Sequence, residues 1–321
     1  MKSIKLADIS KIIKEEATRM GFSACGISKA ETIDDINSSS IQKWIKEGRH
    51  ASMKYMEANM EKRLNPCLLH PGCKSVISVA LNYYPEKKIP ASQPQLAFYS
   101  YGKDYHDVMK QMLSRFAEFI KNLDFSTSDS EQHCDTDIII CCDTVPILDR
   151  YWAWKGGLGW IGKNSNLIIP DCGSFFFLGE ILVNKTLQYD TPMQSQCGTC
   201  TKCINACPTG ALRNDNTIDA RCCLSYLTIE SKDVSIINIP MRISRNNYIY
   251  GCDRCQSVCP YNKDAVPTNI EAFKPSEELL KMKSEDWQNL SIEQYRSLFK
   301  GSAVKRAKYD GLMRNIKSFL N

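Results

Sequence analysis

The stretch Cys197-Gly-Thr-Cys200-Thr-Lys-Cys203-Ile-Asn-Ala-Cys207-Pro208 decides the architecture of the chain. Its spacing, C-x2-C-x2-C-x3-C-P, is that of a two-cluster ferredoxin segment: three thiolates hold one 4Fe–4S cube and the fourth reaches a second. A second run, Cys252-Asp-Arg-Cys255-Gln-Ser-Val-Cys259-Pro260, supplies partners for that second cube. It is one thiolate short, because Ile249 stands where its first cysteine belongs. Two cubes need eight thiolates, the runs hold seven, and the Cys222–Cys223 pair between them offers the last. Crossing of the runs assigns Cys197, Cys200, Cys203 and Cys259 to one cube. It assigns Cys207, Cys252 and Cys255 to the other, and spacing leaves the choice between Cys222 and Cys223 open. Structural zinc is the main rival for paired C-x2-C elements. Two runs that both end in C-x3-C-P fit cube ligation better. A chain built to hold two clusters moves electrons, and the rest of the sequence must say where.

The whole chain has 321 residues, 43% apolar and 24% charged, as in an ordinary globular protein. No apolar run approaches the roughly eighteen residues of a membrane span. Leu6, Ile9, Ile13, Ala17 and Met20 recur at helical spacing among charged residues, so the N-terminus reads as an amphipathic surface helix and not as an export signal. The expectation is a cytoplasmic monomer with no membrane attachment. Sixteen cysteines in a reducing compartment point to metal ligation, not disulfides. Cys141 and Cys142 lie in an apolar run and read as small buried hydrophobes. Net charge is +5, and its distribution says more. Lys300, Lys305, Arg306, Lys308, Arg314 and Lys317 stand against a single acid, Asp310, while the segment from Glu271 to Glu293 is acidic. Charge alone makes the basic stretch a solvated helix face that could also attract a polyanion.

The expected fold class is α+β, or mixed α/β, in three parts. Residues 1–190 form an α/β domain. Leu6–Met20 is a helix, Phe22–Ile27 a strand, and helices follow near Ile41–Gly48 and Met53–Glu61. Ser75–Leu81 and Asp137–Cys142 are β-branched buried strands, with a helix at Val108–Leu123 between them. The Ser/Thr/Asp-rich stretch Asn122–Asp135 is an exposed loop. Pro146 suits the first turn of a helix running to Lys155. Pro170-Asp-Cys-Gly173 reads as a hairpin turn between Asn166–Ile169 and Phe175–Val183. Residues 191–266 form a two-cluster, ferredoxin-like domain whose core is partly inorganic, and residues 267–321 a basic helical tail.

Three motifs bear on chemistry. Gly157-Leu-Gly159-Trp-Ile-Gly162 matches G-x-G-x-x-G by letter, but it follows a helix, whereas the dinucleotide fingerprint must follow a strand and open a helix. It reads instead as a tight loop whose backbone approaches a ligand, with Lys163 and Asn164 as donors. Asp104-Tyr-His106 begins D-x-H-x-x-G, the pattern of some corrinoid axial ligands, but Met109 replaces the glycine. Asp143 follows a buried strand directly. Partial burial should raise its pKa and let it act as a general acid, while a bland alternative is the N-cap of the helix beginning at Pro146.

Several segments together resemble epoxyqueuosine reductases: Tyr101-Gly-Lys-Asp-Tyr-His106, Asp143-Thr-Val-Pro-Ile-Leu148, Gly157–Asn164, Gly173-Ser-Phe-Phe-Phe-Leu-Gly-Glu180, Cys197–Leu212, Ser225–Glu230, Ile249–Pro260 and Gly301-Ser-Ala-Val-Lys-Arg306. The resemblance runs from the first helix to the last. Some longer members carry a C-terminal helical-repeat tail, and this chain stops before it. Cys222 also departs from the family, which tends to have arginine there, and Cys223 is the aligned cluster ligand. The resemblance implies an oxygen-independent cobalamin enzyme that completes queuosine on tRNA. Two 4Fe–4S clusters pass single electrons to a base-off corrin, and an epoxide is reduced to an alkene and water with Asp143 as proton donor. The missing D-x-H-x-x-G glycine fits a corrin with no protein imidazole below the metal. The corrin contacts implied are Arg63, Tyr105, His106, Asp143, Trp160, Lys163, Asn164, Leu167, Ser174 and Ser225. Lys300, Lys305, Arg306, Lys308 and Arg314 then read as tRNA contacts around a splayed wobble base, and a flavodoxin- or ferredoxin-type protein as electron donor.

Two rivals are a corrinoid reductive dehalogenase and a non-catalytic ferredoxin-type carrier. The first usually carries an export signal, which this N-terminus lacks. The second leaves the large α/β domain and Asp143 without a task.

Overall fold

In a computed structural model, residues 6–125, 135–232 and 247–320 are described. Strand β2 (Ser75–Asn82) is buried along nearly its whole length, as its β-branched sequence requires. It pairs on one side with β1 (Ala24–Lys29) and on the other with β7 (Phe176–Val183), and β7 pairs in turn with β4 (Ile138–Cys141). The sheet order is therefore β1-β2-β7-β4, and every neighbouring pair is antiparallel.

Side chains alternate between its two faces. Ile77, Val79 and Leu81 of β2 and Ile181 and Val183 of β7 meet α1 (Leu6–Arg19) and α3 (Tyr105–Lys121) through Ile9, Ile13, Ala17, Met109, Leu113 and Phe116. On the other face Val76 and Leu182 meet α4 (Asp149–Lys155) through Tyr151 and Trp152. Here α2 (Asp35–Lys46) flanks the same layer. Gly26 of β1 lies under the end of α4, where a Cβ would stand 2.0 Å from the Gly156 carbonyl oxygen, so only glycine lets helix and strand approach.

A second core joins parts that are far apart in sequence. Two-residue β3 (Gln95–Leu96) runs parallel to β8 (Tyr248–Tyr250). Ile249 and Tyr250 pack with Leu224 of α5 (Leu224–Ile229), with Leu279, Trp287, Tyr295 and Phe299, and with Leu312 and Ile316 of α6 (Lys308–Leu320). The buried Asn315 side chain stitches this core by donating to the carbonyls of Thr228 (2.8 Å) and Ile249 (2.9 Å). The last fifty residues thus share an apolar core with the cysteine-rich segment, and packing cuts across the three sequence parts.

Local differences have local causes. The first strand runs two residues later than its apolar run, because β1 takes its register from β2. The second helix starts at Asp35, capped by Asp34. Met53–Glu61 breaks into a short turn (Lys54–Met56) and a helix from Met60 to Leu64, because Asn59 adopts φ 57°. Pro146 does not open α4, which begins at Asp149. The turn at Pro170 does close, with Ile169 bridging Gly173, but its flanks go to different sheets: β6 (Leu167–Ile168) pairs with β5 (Trp160–Ile161). Much of the Asn122–Asp135 loop, residues 126–134, lies outside the described residues.

Candidate functional site

Strand β4 ends in the buried thiols of Cys141 and Cys142, and the chain then turns at Asp143, which adopts φ 52°. Left-handed backbone at a non-glycine residue is strained and clusters at working sites. The turn sends the carboxylate to His106, whose Nε2 lies 3.0 Å from Asp143 Oδ2. His106 is held from behind. Asp104 caps α3 by accepting from the His106 backbone N–H at 3.1 Å, and the same carboxylate takes the imidazole Nδ1–H at 2.6 Å. Tyr105 stacks on Phe177 with ring centres 4.3 Å apart and 7° between planes, and it also stacks on His106. The result is a hydrogen-bonded line, Asp104–His106–Asp143.

The electrostatics correct one expectation. Asp143 is held below the usual carboxylate range, first by the hydrogen bond from His106, against the opposing effect of burial, and further by Tyr105 and Arg306. His106 rises to about 9, through the hydrogen bonds to Asp104 and then Asp143. The proton of this pair therefore rests on the imidazole at neutral pH, not on Asp143. Burial alone suggested the opposite, because the cation that neutralises Asp143 comes from another helix. The alternative of a helix cap also falls, since α4 starts six residues later and Leu148 occupies its N-cap.

Arg63, Tyr55 and Arg306 complete the surroundings. Arg63 donates to the Tyr55 carbonyl at 2.7 Å, and burial lowers its pKa against the pull of Asp149 and Asp143. Arg306 makes a two-pronged contact with Glu230, both distances 3.0 Å, and lies over the Tyr55 ring.

The remaining corrin candidates divide. Arg63, Tyr105, His106 and Asp143 come together. Trp160, Asn164, Leu167 and Ser174 are buried within the protein. Ser174 accepts from Gln256 Nε2 (3.2 Å) and Asn262 Nδ2 (2.9 Å), which ties the second cysteine run to the sheet. Lys163 donates to the carbonyls of Gly198 (2.6 Å) and Cys200 (3.1 Å), so it braces the first run. Ser225 sits in the first turn of α5 and accepts the Thr228 hydroxyl at its carbonyl. The glycine loop has a structural task of its own. A Cβ on Gly159 would strike the Ile168 carbonyl at 2.0 Å, so the β5–β6 pairing itself requires glycine here.

The cysteines gather in two groups. Cys259 is raised by burial and then by the nearby Cys197, Cys203 and Cys200. Cys255 is raised well above the ordinary thiol value by burial and then by Cys252, Cys223 and Cys207. Burial pushes Cys252 to about 12, with Cys223 again among its neighbours. Cys223 is thus the member of its pair that both feel. Cys207 goes the other way: burial is outweighed by the Thr209 hydroxyl and by backbone N–H groups of Thr209, Ala211 and Leu212. Thiolates in two sets of four are the donors a cube takes, but among the described residues no three metal-ligating side chains are drawn close enough to hold a metal ion.

Of the basic candidates, Lys300, Lys305, Arg306 and Lys308 are exposed. Arg314 is not free for a ligand, since it donates to the carbonyls of Ser231 (2.7 Å) and Leu227 (3.2 Å). Sequence reasoning gave Asp104 no role beyond opening a motif, and it missed Tyr55 and Glu230. The Asp104-x-His106 spacing at a helix start was the one signal for the first; the other two had none.

Residues 63–144 match the family described as "Epoxyqueuosine reductase QueG, DUF1730", and residues 196–262 match the "4Fe-4S double cluster binding domain". The epoxyqueuosine reductase of Cellulophaga algicola is 42% identical over 309 residues, 96% of each chain. The chain belongs to the epoxyqueuosine reductase family. It is an oxidoreductase of mixed α/β fold with a double-cluster 4Fe–4S domain. An epoxyqueuosine reductase solved with an epoxyqueuosine-modified tRNA-Tyr stem loop superposes with TM-score 0.83 at 28% identity, over 98% of this chain and 82% of that one. The Bacillus subtilis enzyme, solved with an aspartate-bearing catalytic loop swung out of the active site, gives TM-score 0.85 at 29% identity over the same shares. Among the described residues, no helix is long and apolar enough to cross a membrane.

Proposed function

We propose that this enzyme reduces epoxyqueuosine to queuosine at the wobble position of tRNA in the cytoplasm, with Asp143 delivering a proton to the epoxide oxygen. The observation that carries this reading is the Asp104–His106–Asp143 line on the α/β face, in a chain whose residues 196–262 match a double-cluster 4Fe–4S domain. One cube is held by Cys197, Cys200, Cys203 and Cys259, the other by Cys207, Cys223, Cys252 and Cys255. The first 190 residues carry the catalytic face, residues 191–266 the clusters, and residues 267–321 support the tRNA.

Cobalamin fits this face in part. Arg63, Tyr105, His106 and Asp143 are polar, gathered and not fully buried, as a group that must hold a corrin's amides requires. Trp160, Asn164, Leu167 and Ser174 are buried, and Lys163 braces the first cysteine run, so these candidates do not stand beside the gathered four. Bound there, cobalamin would supply the two reducing equivalents to the epoxide. The chain's own residues handle the proton. His106 stores it, Asp104 fixes the imidazole so that Nε2 faces Asp143, and Asp143 passes it on. Transfer from His106 to Asp143 is uphill at rest and becomes favourable as negative charge develops on the departing oxygen. The exposed Lys300, Lys305, Arg306 and Lys308 are suited to backbone phosphates. A flavodoxin- or ferredoxin-type protein supplies the electrons.

The test is anaerobic turnover of an epoxyqueuosine-bearing anticodon stem loop by iron-loaded protein with cobalamin and a reductant, read by mass as loss of one oxygen. Asp143→Asn should keep its iron and its tRNA affinity and lose turnover by about 10²–10⁴-fold, the range for a positioned acid. Wild-type turnover in that variant would remove Asp143 from the chemistry, and no oxygen loss by the loaded wild type would overturn the reading.

A further inference from the structure

Tyr55 stands 47% exposed, yet its backbone is fixed on both sides. Three residues earlier, Ser52 meets the Tyr226 hydroxyl through its own hydroxyl (2.7 Å) and its backbone N–H (3.2 Å). On the other side Arg63 donates to the Tyr55 carbonyl at 2.7 Å and to the Ala58 carbonyl at 3.3 Å. The short turn Lys54–Met56 between these anchors holds the ring in place without burying it. A single exposed apolar side chain is ordinary and needs no explanation. An anchored aromatic ring flanked by two guanidinium groups does.

A chain of contacts ties this ring to the line that ends at Asp143. The Asp104 N–H donates to the Gly301 carbonyl at 2.6 Å, and the Ser302 hydroxyl donates to the Ser100 carbonyl at 3.3 Å. The Tyr250 hydroxyl donates to the Ala303 carbonyl at 2.6 Å. These bonds fix the turn Ala303–Ala307 against the start of α3. Arg306 leaves that turn, meets Glu230 with two contacts of 3.0 Å and stands 5.9 Å from the centre of the Tyr55 ring. Ring, cations and the Asp104–His106–Asp143 line are therefore tied into one unit.

The reaction creates a need for such a ring. A wobble base that reaches the acid–base line must leave the stack of its anticodon loop. The base next to it then loses a stacking face. An aromatic side chain restores that face, and it serves any base because every base has a π surface. A guanidinium beside the ring suits the adjoining phosphate, and Glu230 keeps that of Arg306 in place.

We propose that Tyr55 is the platform on which the base next to the wobble nucleotide stacks, with Arg306 at the adjoining phosphate, so that the enzyme fills the gap left in the loop. The proposal rests on the function given above, with tRNA as substrate. Tyr55 then positions the substrate and takes no part in the chemistry at Asp143.

Stem loops that carry epoxyqueuosine, with 2-aminopurine as the base on one or the other side of it, test this without turnover. That base is dark when stacked and bright when not. With the iron-loaded enzyme and no reductant, one of the two probes should stay dark at saturation in the wild type and in Tyr55→Phe. It should brighten in Tyr55→Ala. Equal emission from wild type and Tyr55→Ala with both probes overturns the proposal. Tyr55→Ala should also weaken binding roughly tenfold to a hundredfold with an unchanged salt slope, since stacking releases no counterions. Tyr55→Phe should bind like the wild type. Wild-type affinity in Tyr55→Ala, or an equal loss in Tyr55→Phe, overturns the stacking role. A shallower salt slope in Tyr55→Ala overturns it too, because the lost contact would then be ionic. Loss of oxygen is read separately by mass. A stem loop that stacks without being reduced counts against the assigned reaction, and one that is reduced without stacking counts against this proposal.

Discussion

The cysteine groups and the acid–base line solve the same problem, buried charge, in opposite ways. Around Asp143 the protein supplies its own counter-charges: His106 sits between two carboxylates, with Arg306 and Arg63 close by. Around the cysteines it does not. Burial makes Cys203, Cys223, Cys252, Cys255 and Cys259 harder to ionise, and neighbouring thiols add to the effect. Among the causes acting on these five, Arg254 beside Cys252 is the one cationic side chain. Sulfurs in that setting become thiolates when iron supplies the positive charge. The cluster half is therefore completed by its cofactor, whereas the acid–base line is completed by folding.

That contrast is broken or sharpened by graded experiments. Chelation of iron under reducing conditions should have the largest effect: amide exchange should accelerate across residues 196–262 while β2 and β7 stay protected, because metal binding is part of folding for such segments. Equal loss in the sheet would erase the distinction between the two halves. Next, Cys223→Ser should lose about half the iron, one cube of two, and Cys222→Ser should lose none. Iron counts and EPR showing the reverse would exchange the two residues in the ligand map.

His106→Gln should act on chemistry without touching iron. The sign follows from the raised pKa. The stabilisation that the charged imidazole gives is complete below its unfolded value of 6.5 and is lost as pH rises through about 9. Wild-type turnover should therefore fall above pH 9, and the variant should be slower by roughly tenfold to a hundredfold and lack that alkaline limb. An unchanged profile would mean that His106 only positions Asp143. The smallest effect belongs to the exposed bases: Lys305→Gln with Lys308→Gln should weaken tRNA binding and lower its salt slope by about one per lost contact. Arg306 is unsuitable for that measurement because it also holds Glu230.

Legibility followed the same divide. The strands at Ser75–Leu81 and Asp137–Cys142 and the helix at Val108–Leu123 were readable because alternation and helical period are local properties. The order of strands was not, since β7, last of the sheet in sequence, lies between β2 and β4. Asp143 was readable as a candidate from its place at a strand end. Its protonation was not, because His106 stands 37 positions away and reaches it only across the folded α/β face. The partner of Gly159 was likewise not readable: the close approach it permits is to the Ile168 carbonyl, across the β5–β6 pair. Arg314, basic by letter, turned out to staple α6 to the carbonyls near Ser231.

The sequence by itself determined the electron-carrying half. A cube constrains ligand spacing along the chain, so the two runs announce their partners, and the gap at Ile249 points to the pair that contains Cys223. Only the tertiary structure decided where protons reside. A carboxyl's charge depends on what faces it through space. His106 keeps Asp143 ionised, although nothing in the sequence places the two side by side.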